Sequence, residues 1–256
     1  MTGGGSGIGL CVAEEVGRLG AKVAICGRTQ EKLDKAKAHL EEAGITVLAK
    51  TCDTRKPEQV AEFVDAVMEA YGRIDALVNN AGGQFPTTAE TLQLKGFEAV
   101  VRNNLFGTFN MTQAVGKKAF FAQKAGRVVN VTAQIKRGFP GMMHTGAARA
   151  GVENMTKSIA VEWIHKGVRI NCVAPGTIKT SGTSQYPPVL LEMSRKSIPM
   201  RRLGTPEETA HLIVYLASKA ANFVTGQTWY IDGGASLHGD SFHIPDEVPG
   251  GDPPHV

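Results

Sequence analysis

Short β-rich runs and amphipathic helical stretches alternate along the whole of this 256-residue chain, and that rhythm constrains the fold more than any other feature. Residues 22–26, 46–51, 76–79, 128–131, 168–173 and 228–231 read as strands. Between them, residues 30–43 place Leu33, Ala36, Leu40 and Ala43 at helical spacing, with Gly44 as a stop. Residues 57–71 carry Val60, Phe63, Val64, Val67 and Met68 on one face and end at Gly72. Long helices are expected over 97–121 and 147–165, the second with a stripe of Ala148, Val152, Met155, Ile159 and Trp163. Thr205-Pro206-Glu207-Glu208 is a capping box that starts a further helix. Such alternation builds an α/β fold: a Rossmann-like, doubly wound parallel sheet with helices on both faces.

No repeat or linker divides the chain, so residues 1–235 are expected to form one domain. Residues 236–256, with four prolines, read as an irregular tail over the body or over a neighbouring subunit. At the other end, the glycine-rich segment begins at residue 3, where this fold would place a central strand just upstream. The expectation is that about ten residues precede the recorded start, because an open slot in a parallel sheet leaves unpaired backbone groups.

The 28 Lys and Arg against 24 acids give a net charge of +4, a modest surplus that suits a multiply anionic small ligand and not nucleic acid. No stretch approaches a membrane span, and no basic-then-apolar leader opens the chain. The four cysteines are scattered without a Cys-x-x-Cys pair, which favours reduced thiols in a reducing compartment. The histidines have no ligand spacing, so no metal is expected.

Gly3, Gly7 and Gly9, with Ser6 and Ile8 between, spell G-x-x-x-G-x-G running into a helix. Glycines let backbone approach a pyrophosphate, and a helix N-terminus supplies N–H groups and positive potential. Alone, such a loop is also what a plain glycine-rich turn looks like. About 20 residues on, a dinucleotide fold places an acid that reads the ribose of NAD, or a basic residue for NADP. Here the strand ends Cys26-Gly27-Arg28-Thr29, with no acid. A guanidinium grips a 2′-phosphate, which favours NADP(H), although a strand-end Arg can equally be a solvated charge.

These residues resemble the short-chain dehydrogenase/reductase family over essentially the whole chain. In register with it, Asp53 matches an acid that accepts from the adenine amine, a position that also suits a helix cap. Asn80, Ala81 and Gly82, after Asn79, match the Asn-Asn-Ala-Gly turn beside the adenosine. Asn104 matches the helix asparagine of the active site, though a helix-surface amide would look the same. Pro175 and Gly176 open the Pro-Gly segment, which implies that Ile178 faces the nicotinamide amide and Thr180 the pyrophosphate. Ile231-Asp232-Gly233-Gly234 matches the last strand.

The departures from the family are chemical. Aligning Ala150-Gly151-Val152 puts Arg149 at the family's catalytic lysine, Thr145 at its tyrosine and Ala133 at its serine. The tyrosines, at 71, 186, 215 and 230, all lie elsewhere. Reducing a ketone builds an alkoxide that needs a placed acid. Reducing an α,β-unsaturated thioester puts charge on the thioester oxygen as an enolate, which hydrogen-bond donors can hold while solvent protonates the α-carbon. A site without the phenol suits C=C better than C=O.

Residues 79–86 and 138–152 are similar to the peroxisomal trans-2-enoyl-CoA reductase subfamily, with the 2,4-dienoyl-CoA reductases close by. The resemblance implies NADPH, an acyl-CoA substrate, a homotetramer and a substrate lid over about 180–204. The dienoyl group carries serine and lysine where Thr145 and Arg149 stand, and its catalytic tyrosine falls on Gln134. The C-terminal Pro254-His255-Val256 lacks a Ser-Lys-Leu-like address, which suggests a cytoplasmic version.

Arg149 is assigned to the nicotinamide ribose and to positive potential near the enolate, against the alternative of a surface ion pair. Thr145 is assigned as a donor to the thioester oxygen or, equally, as a helix cap. His144 is read as a proton relay or a structural imidazole, and Tyr186 as a lid aromatic or an alternative acid. Lys136, Arg137, Lys179, Arg195, Lys196, Arg201 and Arg202 are candidates for coenzyme A phosphates. The expected reaction is NADPH-dependent reduction of a trans-2-enoyl-CoA. The rivals are an NADP(H)-binding pseudoenzyme and a carbonyl reductase with a non-standard acid.

Overall fold

A computed structural model describes residues 1–180, 183, 187–238 and 243–245. Its strands are β1 (Val23–Gly27), β2 (Val47–Thr51), β3 (Ala76–Asn79), β4 (Gly126–Val131), β5 (Val168–Pro175) and β6 (Thr228–Ile231), and all pairings are parallel. β1 pairs with β2, and β3-β4-β5-β6 form a second block. Between the blocks sits Thr2, bridged in parallel to Cys26 on one side and Asn79 on the other. The slot expected for a central strand thus holds only Met1 and Thr2. There the Thr2 amide donates to the Val78 carbonyl and the Cys26 amide to the Met1 carbonyl, both at 3.0 Å.

Helices α1 (Gly7–Arg18) and α2 (Gln30–Glu42) cover one face together with α9 (Pro206–Ala217), and α3 (Pro57–Tyr71), α5 (Gly107–Val115) and α7 (Met143–Glu162) cover the other. The first face buries Val12, Val78, Val129, Val173, Ile213 and Leu216, and the second Val60, Phe63, Met111, Phe120, Val128 and Ile170. These strands are apolar on both sides, as a doubly covered parallel sheet requires. The Thr205–Glu208 capping box forms as read, Thr205 Oγ1 accepting from the Glu208 amide.

The helix expected over 97–121 is longer and interrupted. α4 (Leu94–Val101) passes through a π turn at Arg102–Phe106 into α5, and a second π turn at Gly116–Phe120 leads to α6 (Phe121–Gln123). Thr108 Oγ1 donates back to the Asn104 carbonyl and Thr112 Oγ1 to the Thr108 carbonyl, at 2.8 and 2.7 Å. Such back-bonding loosens the main-chain ladder where the π turn sits. The turn is where Asn104 lies, and π turns gather at functional sites.

One row of the sheet is polar. Asn79, Asn130 and Cys172 are in register across β3, β4 and β5. Asn79 Nδ2 donates to Asn130 Oδ1 at 2.8 Å, and Asn130 Nδ2 to Thr156 Oγ1 at 2.9 Å. This buried row lies near the carboxyl ends of the strands, the edge at which doubly wound folds bind ligands.

Candidate active site

At that edge opens a cavity of about 350 Å³. It brings together Gly3, Ser6, Gly7, Ile8, Arg28, Asp53, Asn80, Ala81, Gly82 and Thr180 from the sequence assignment, and adds Lys32, Thr54 and Asn103. Gly9, Asn104, Thr145, Arg149, Pro175, Gly176 and Ile178 do not line it.

Local chemistry explains the cavity wall. Gly7 has φ +55°, and a Cβ at Gly9 would collide with the Gly3 carbonyl and Asn80 Nδ2, so α1 can start tight against the loop only as glycine. Asn80 locks the two loops together. Its Nδ2 donates to the Thr2 and Gly3 carbonyls at 3.2 Å, while Thr2 Oγ1 accepts from the Asn80 and Ala81 amides at 3.0 and 2.9 Å. The sequence reading missed Thr2, although a hydroxyl just before the glycines was the available signal. Ser6 is the N-cap of α1, but its side chain makes no capping bond.

Arg28 and Lys32 both line the cavity, Lys32 from the first turn of α2. Among the described residues neither makes a hydrogen bond or ion pair through its charged head. Asp53 does not cap α3, whose N-cap is Lys56. Its carboxylate is gripped by Arg55, whose Nε donates to both oxygens at 2.8 and 3.0 Å and whose Nη2 donates to Oδ2 at 2.5 Å. That guanidinium holds the acid below the usual carboxylate range, with a smaller contribution from Arg28.

The catalytic candidates form a second cluster, on α7 and the π turn. Asn104 is fully buried; its Nδ2 donates to the Gly83 and Val100 carbonyls at 2.8 Å, so it fixes the loop after β3. Arg149 is buried and makes no ion pair among the described residues, which removes the surface reading. Its Nη1 donates to the Val131 carbonyl at 2.6 Å. A Cβ on Gly82 would strike both Arg149 Nη2 and Asn104 Oδ1, so these groups converge on the cavity's Gly82 wall. Burial lowers the Arg149 pKa to about 10, which leaves it charged at neutral pH.

One turn earlier, Thr145 is wholly buried and its hydroxyl finds no partner among the described residues. The N-cap of α7 is Met142, so Thr145 is not a cap. His144 is also buried, its ring 4.6 Å from Phe85 and both nitrogens without partners among the described residues. Burial lowers its pKa, so the ring is neutral. Buried polar atoms are nearly always paired, and His144, Thr145 and Arg149 each carry one without a partner among the described residues.

The Pro-Gly segment closes β5. The Gly176 amide donates to the Ile231 carbonyl, and Ile178 pairs with Gly204. Tyr186 lies outside the described residues, as do 181, 182, 184 and 185 of the lid. What is described of the lid centres on α8 (Pro188–Ser197).

The coenzyme A candidates need correction. Arg195 pairs with Glu192 at 2.7 Å and Arg202 with Glu208 at 2.6 Å. Arg201 donates to the carbonyls of Lys196, Ile244 and Pro245, and Arg137 to that of His238. Arg195 is thus held within α8, Arg202 ties its segment to α9, and Arg137 and Arg201 hold residues 238, 244 and 245, because main-chain carbonyls and nearby acids reach them first. Lys136 and Lys179 have no acidic partner among the described residues, and Lys196 lies 3.9 Å from Glu192.

Among the described residues no His, Cys, Asp or Glu cluster could hold a metal, and no helix is long and apolar enough to cross a membrane.

Residues 3–236 match the family described as Enoyl-(Acyl carrier protein) reductase. The chain is a short-chain dehydrogenase/reductase. As such it is an oxidoreductase, and the glycine loop, Asn80 and the Gly82 wall fit a nicotinamide dinucleotide. This short-chain reductase is 38% identical over 244 residues to a peroxisomal 2,4-dienoyl-CoA reductase of Danio rerio, covering 93% of this chain and 80% of that protein. A citronellol catabolism dehydrogenase of Pseudomonas aeruginosa PAO1 has a TM-score of 0.83 at 44% identity, covering 92% of this chain and 93% of that one. An actinorhodin polyketide ketoreductase solved with NADPH has a TM-score of 0.88 at 31% identity, covering 93% and 96%.

Proposed function

We propose that this chain is an NADPH-dependent reductase of the 2,3-double bond of trans-2-enoyl-CoA thioesters. The observation that carries the reading is the Thr145–Arg149 pair. Where the family's phenol and lysine would stand, the chain has a buried hydroxyl with no partner among the described residues and a buried charged guanidinium.

When bound, the reduced nicotinamide supplies hydride to the β-carbon. What the chain's own residues must do is hold the negative charge that then gathers on the thioester oxygen. A hydroxyl and a guanidinium in a dry site do this well, because neither has to reorganise. Arg149 cannot serve as the proton donor, since it keeps its proton at neutral pH. Solvent can protonate the enolate's α-carbon, whereas the alkoxide formed when hydride adds to a ketone needs the placed acid that is missing among the described residues. Asn104 keeps the Gly82–Gly83 loop in place beneath the guanidinium.

The preference for NADPH rests on Arg28 and Lys32 in the cavity lining, where an NAD-type site would carry an acid. Coenzyme A is the expected carrier, with Lys136 and Lys179 as phosphate contacts. Four free cysteines suit a reducing cytoplasm. Exposed Phe106 and Phe109 on the α4–α5 rod, with Val161 and Phe223 elsewhere, suit a homotetramer, which light scattering would measure.

The deciding experiment is NADPH oxidation over crotonyl-CoA, longer trans-2-enoyl-CoA esters and 3-oxoacyl-CoA esters. Turnover of the enoyl esters that collapses in Asn104→Ala supports the proposal. Tight NADPH binding with no turnover of any ester would make the chain a dinucleotide-binding pseudoenzyme, and turnover confined to the 3-oxo esters would make it a carbonyl reductase. For the cofactor, Arg28→Ala should weaken NADPH far more than NADH, and equal losses would remove the 2′-phosphate assignment.

A further inference from the structure

Asp53 presents a difficulty for a site that takes a 2′-phosphate. It lines the same cavity as Arg28 and Lys32, and a bare carboxylate there would repel a phosphate and compete for Arg28. The chain resolves this two residues later. Arg55 donates to Asp53 through its main-chain amide at 3.1 Å, through Nε at 2.8 and 3.0 Å to the two oxygens, and through Nη2 at 2.5 Å. The Asp53 amide is itself held by Gln59 Oε1 at 2.9 Å, so the acid is fixed from both ends. Arg55 does not line the cavity, whereas Asp53 does.

We propose that Arg55 is a positioning residue for adenosine recognition. Its fork orients Asp53 to accept from the adenine amine and cancels its charge, so that Arg28 and Lys32 stay available to the 2′-phosphate. A bidentate guanidinium leaves outward lone pairs on a carboxylate it has neutralised, which is what an acid must offer to read an amine beside a phosphate. The inference rests on the NADPH reading above for its phosphate half; the adenine half stands on the Asp53 geometry.

The test is direct binding of NADPH, NADH and the hypoxanthine analogue of NADPH, which lacks the amine. The proteins are wild type, Arg55→Ala, Arg55→Lys, Asp53→Asn and the Arg55→Ala/Asp53→Asn double variant. Arg55→Ala should weaken NADPH about tenfold more than NADH, the effect of one uncompensated charge near the phosphate. It should also shrink the preference for adenine over hypoxanthine. Arg55→Lys, which keeps the charge and loses the fork, should restore the first discrimination and not the second. In the Asp53→Asn background Arg55→Ala should leave the adenine preference unchanged, because a residue acting through another is silent once that one is gone. Equal losses of NADPH and NADH with adenine preference intact, or an Arg55→Ala effect on the adenine preference that persists in Asp53→Asn, would overturn the proposal. If Arg28→Ala also fails to separate NADPH from NADH, the 2′-phosphate reading is the one that has failed, and the adenine–hypoxanthine comparison alone decides Arg55.

Discussion

The Arg149 guanidinium donates to the main-chain carbonyl of Val131 at 2.6 Å, tying the start of α7 to the last residue of β4. The bond aims a charged group along the carboxyl edge of the sheet, with Nη2 against the Gly82 wall of the cofactor cavity. A buried cation with no ion pair among the described residues is a cost to folding, so its function should separate from stability. Arg149→Met should lower kcat on enoyl esters by about 10²–10³, in the range of one lost oxyanion donor. It should melt at or above the wild-type temperature, as a matched apolar replacement of a buried charge does. Calorimetry beside steady-state rates checks both, and a large fall in Tm with activity retained would make Arg149 merely structural.

Thr145 offers a cleaner deletion. Thr145→Val keeps the shape and removes only the hydroxyl, and Thr145→Ser keeps the donor. One hydrogen bond to a charged oxygen is worth about 1.5–3 kcal/mol, so the valine variant should lose about 10- to 100-fold in kcat with little change in KM, and the serine variant much less. A valine variant with undiminished kcat removes Thr145 from the proposed role.

Gly82→Ala probes the wall itself. The added methyl would meet Arg149 Nη2 and Asn104 Oδ1, both far ends of side chains, so the chain should fold with the guanidinium displaced. The expected outcome is weakened NADPH binding together with a fall in kcat comparable to that of Arg149→Met. Tight binding and normal turnover would show that the crowding at Gly82 has no bearing on the site.

His144 gives a pH signature. Burial holds its folded pKa below the usual 6.5, so the unfolded chain binds the extra proton first as pH falls. The stability that the neutral ring contributes is present above about pH 6.5 and is lost below it, down to the folded pKa, at no more than about 1.4 kcal/mol per pH unit. Glu14, Glu208 and Asp53, whose folded pKa values are also lowered, act only below about pH 4.5. Denaturation of His144→Gln should therefore be flatter than wild type between pH 6.5 and 5, and a parallel slope would show that His144 titrates normally.

Much of this was legible in the primary structure. The stripes Val60–Phe63–Val64–Val67 and Ala148–Val152–Ile159 are buried as spaced, and the boundaries of α3, β3 and β6 fall where periodicity and glycine punctuation place them. Period and capping are local properties, and local order states them. The π turn around Asn104 was not legible, because it arises from threonine back-bonding and packing against the loop after β3.

The amino-acid order by itself determined the α/β alternation, the glycine loop, the basic residue in place of a ribose-reading acid, and the absence of a phenol at the position aligned with the family's tyrosine. Only the tertiary structure decided that Arg149 is buried on the Val131 carbonyl, that four basic candidates are occupied by the chain's own acids and carbonyls, and that Arg55 neutralises Asp53. Charge and hydrogen-bonding capacity belong to a residue, but which partner reaches it first depends on distances between segments far apart in the chain.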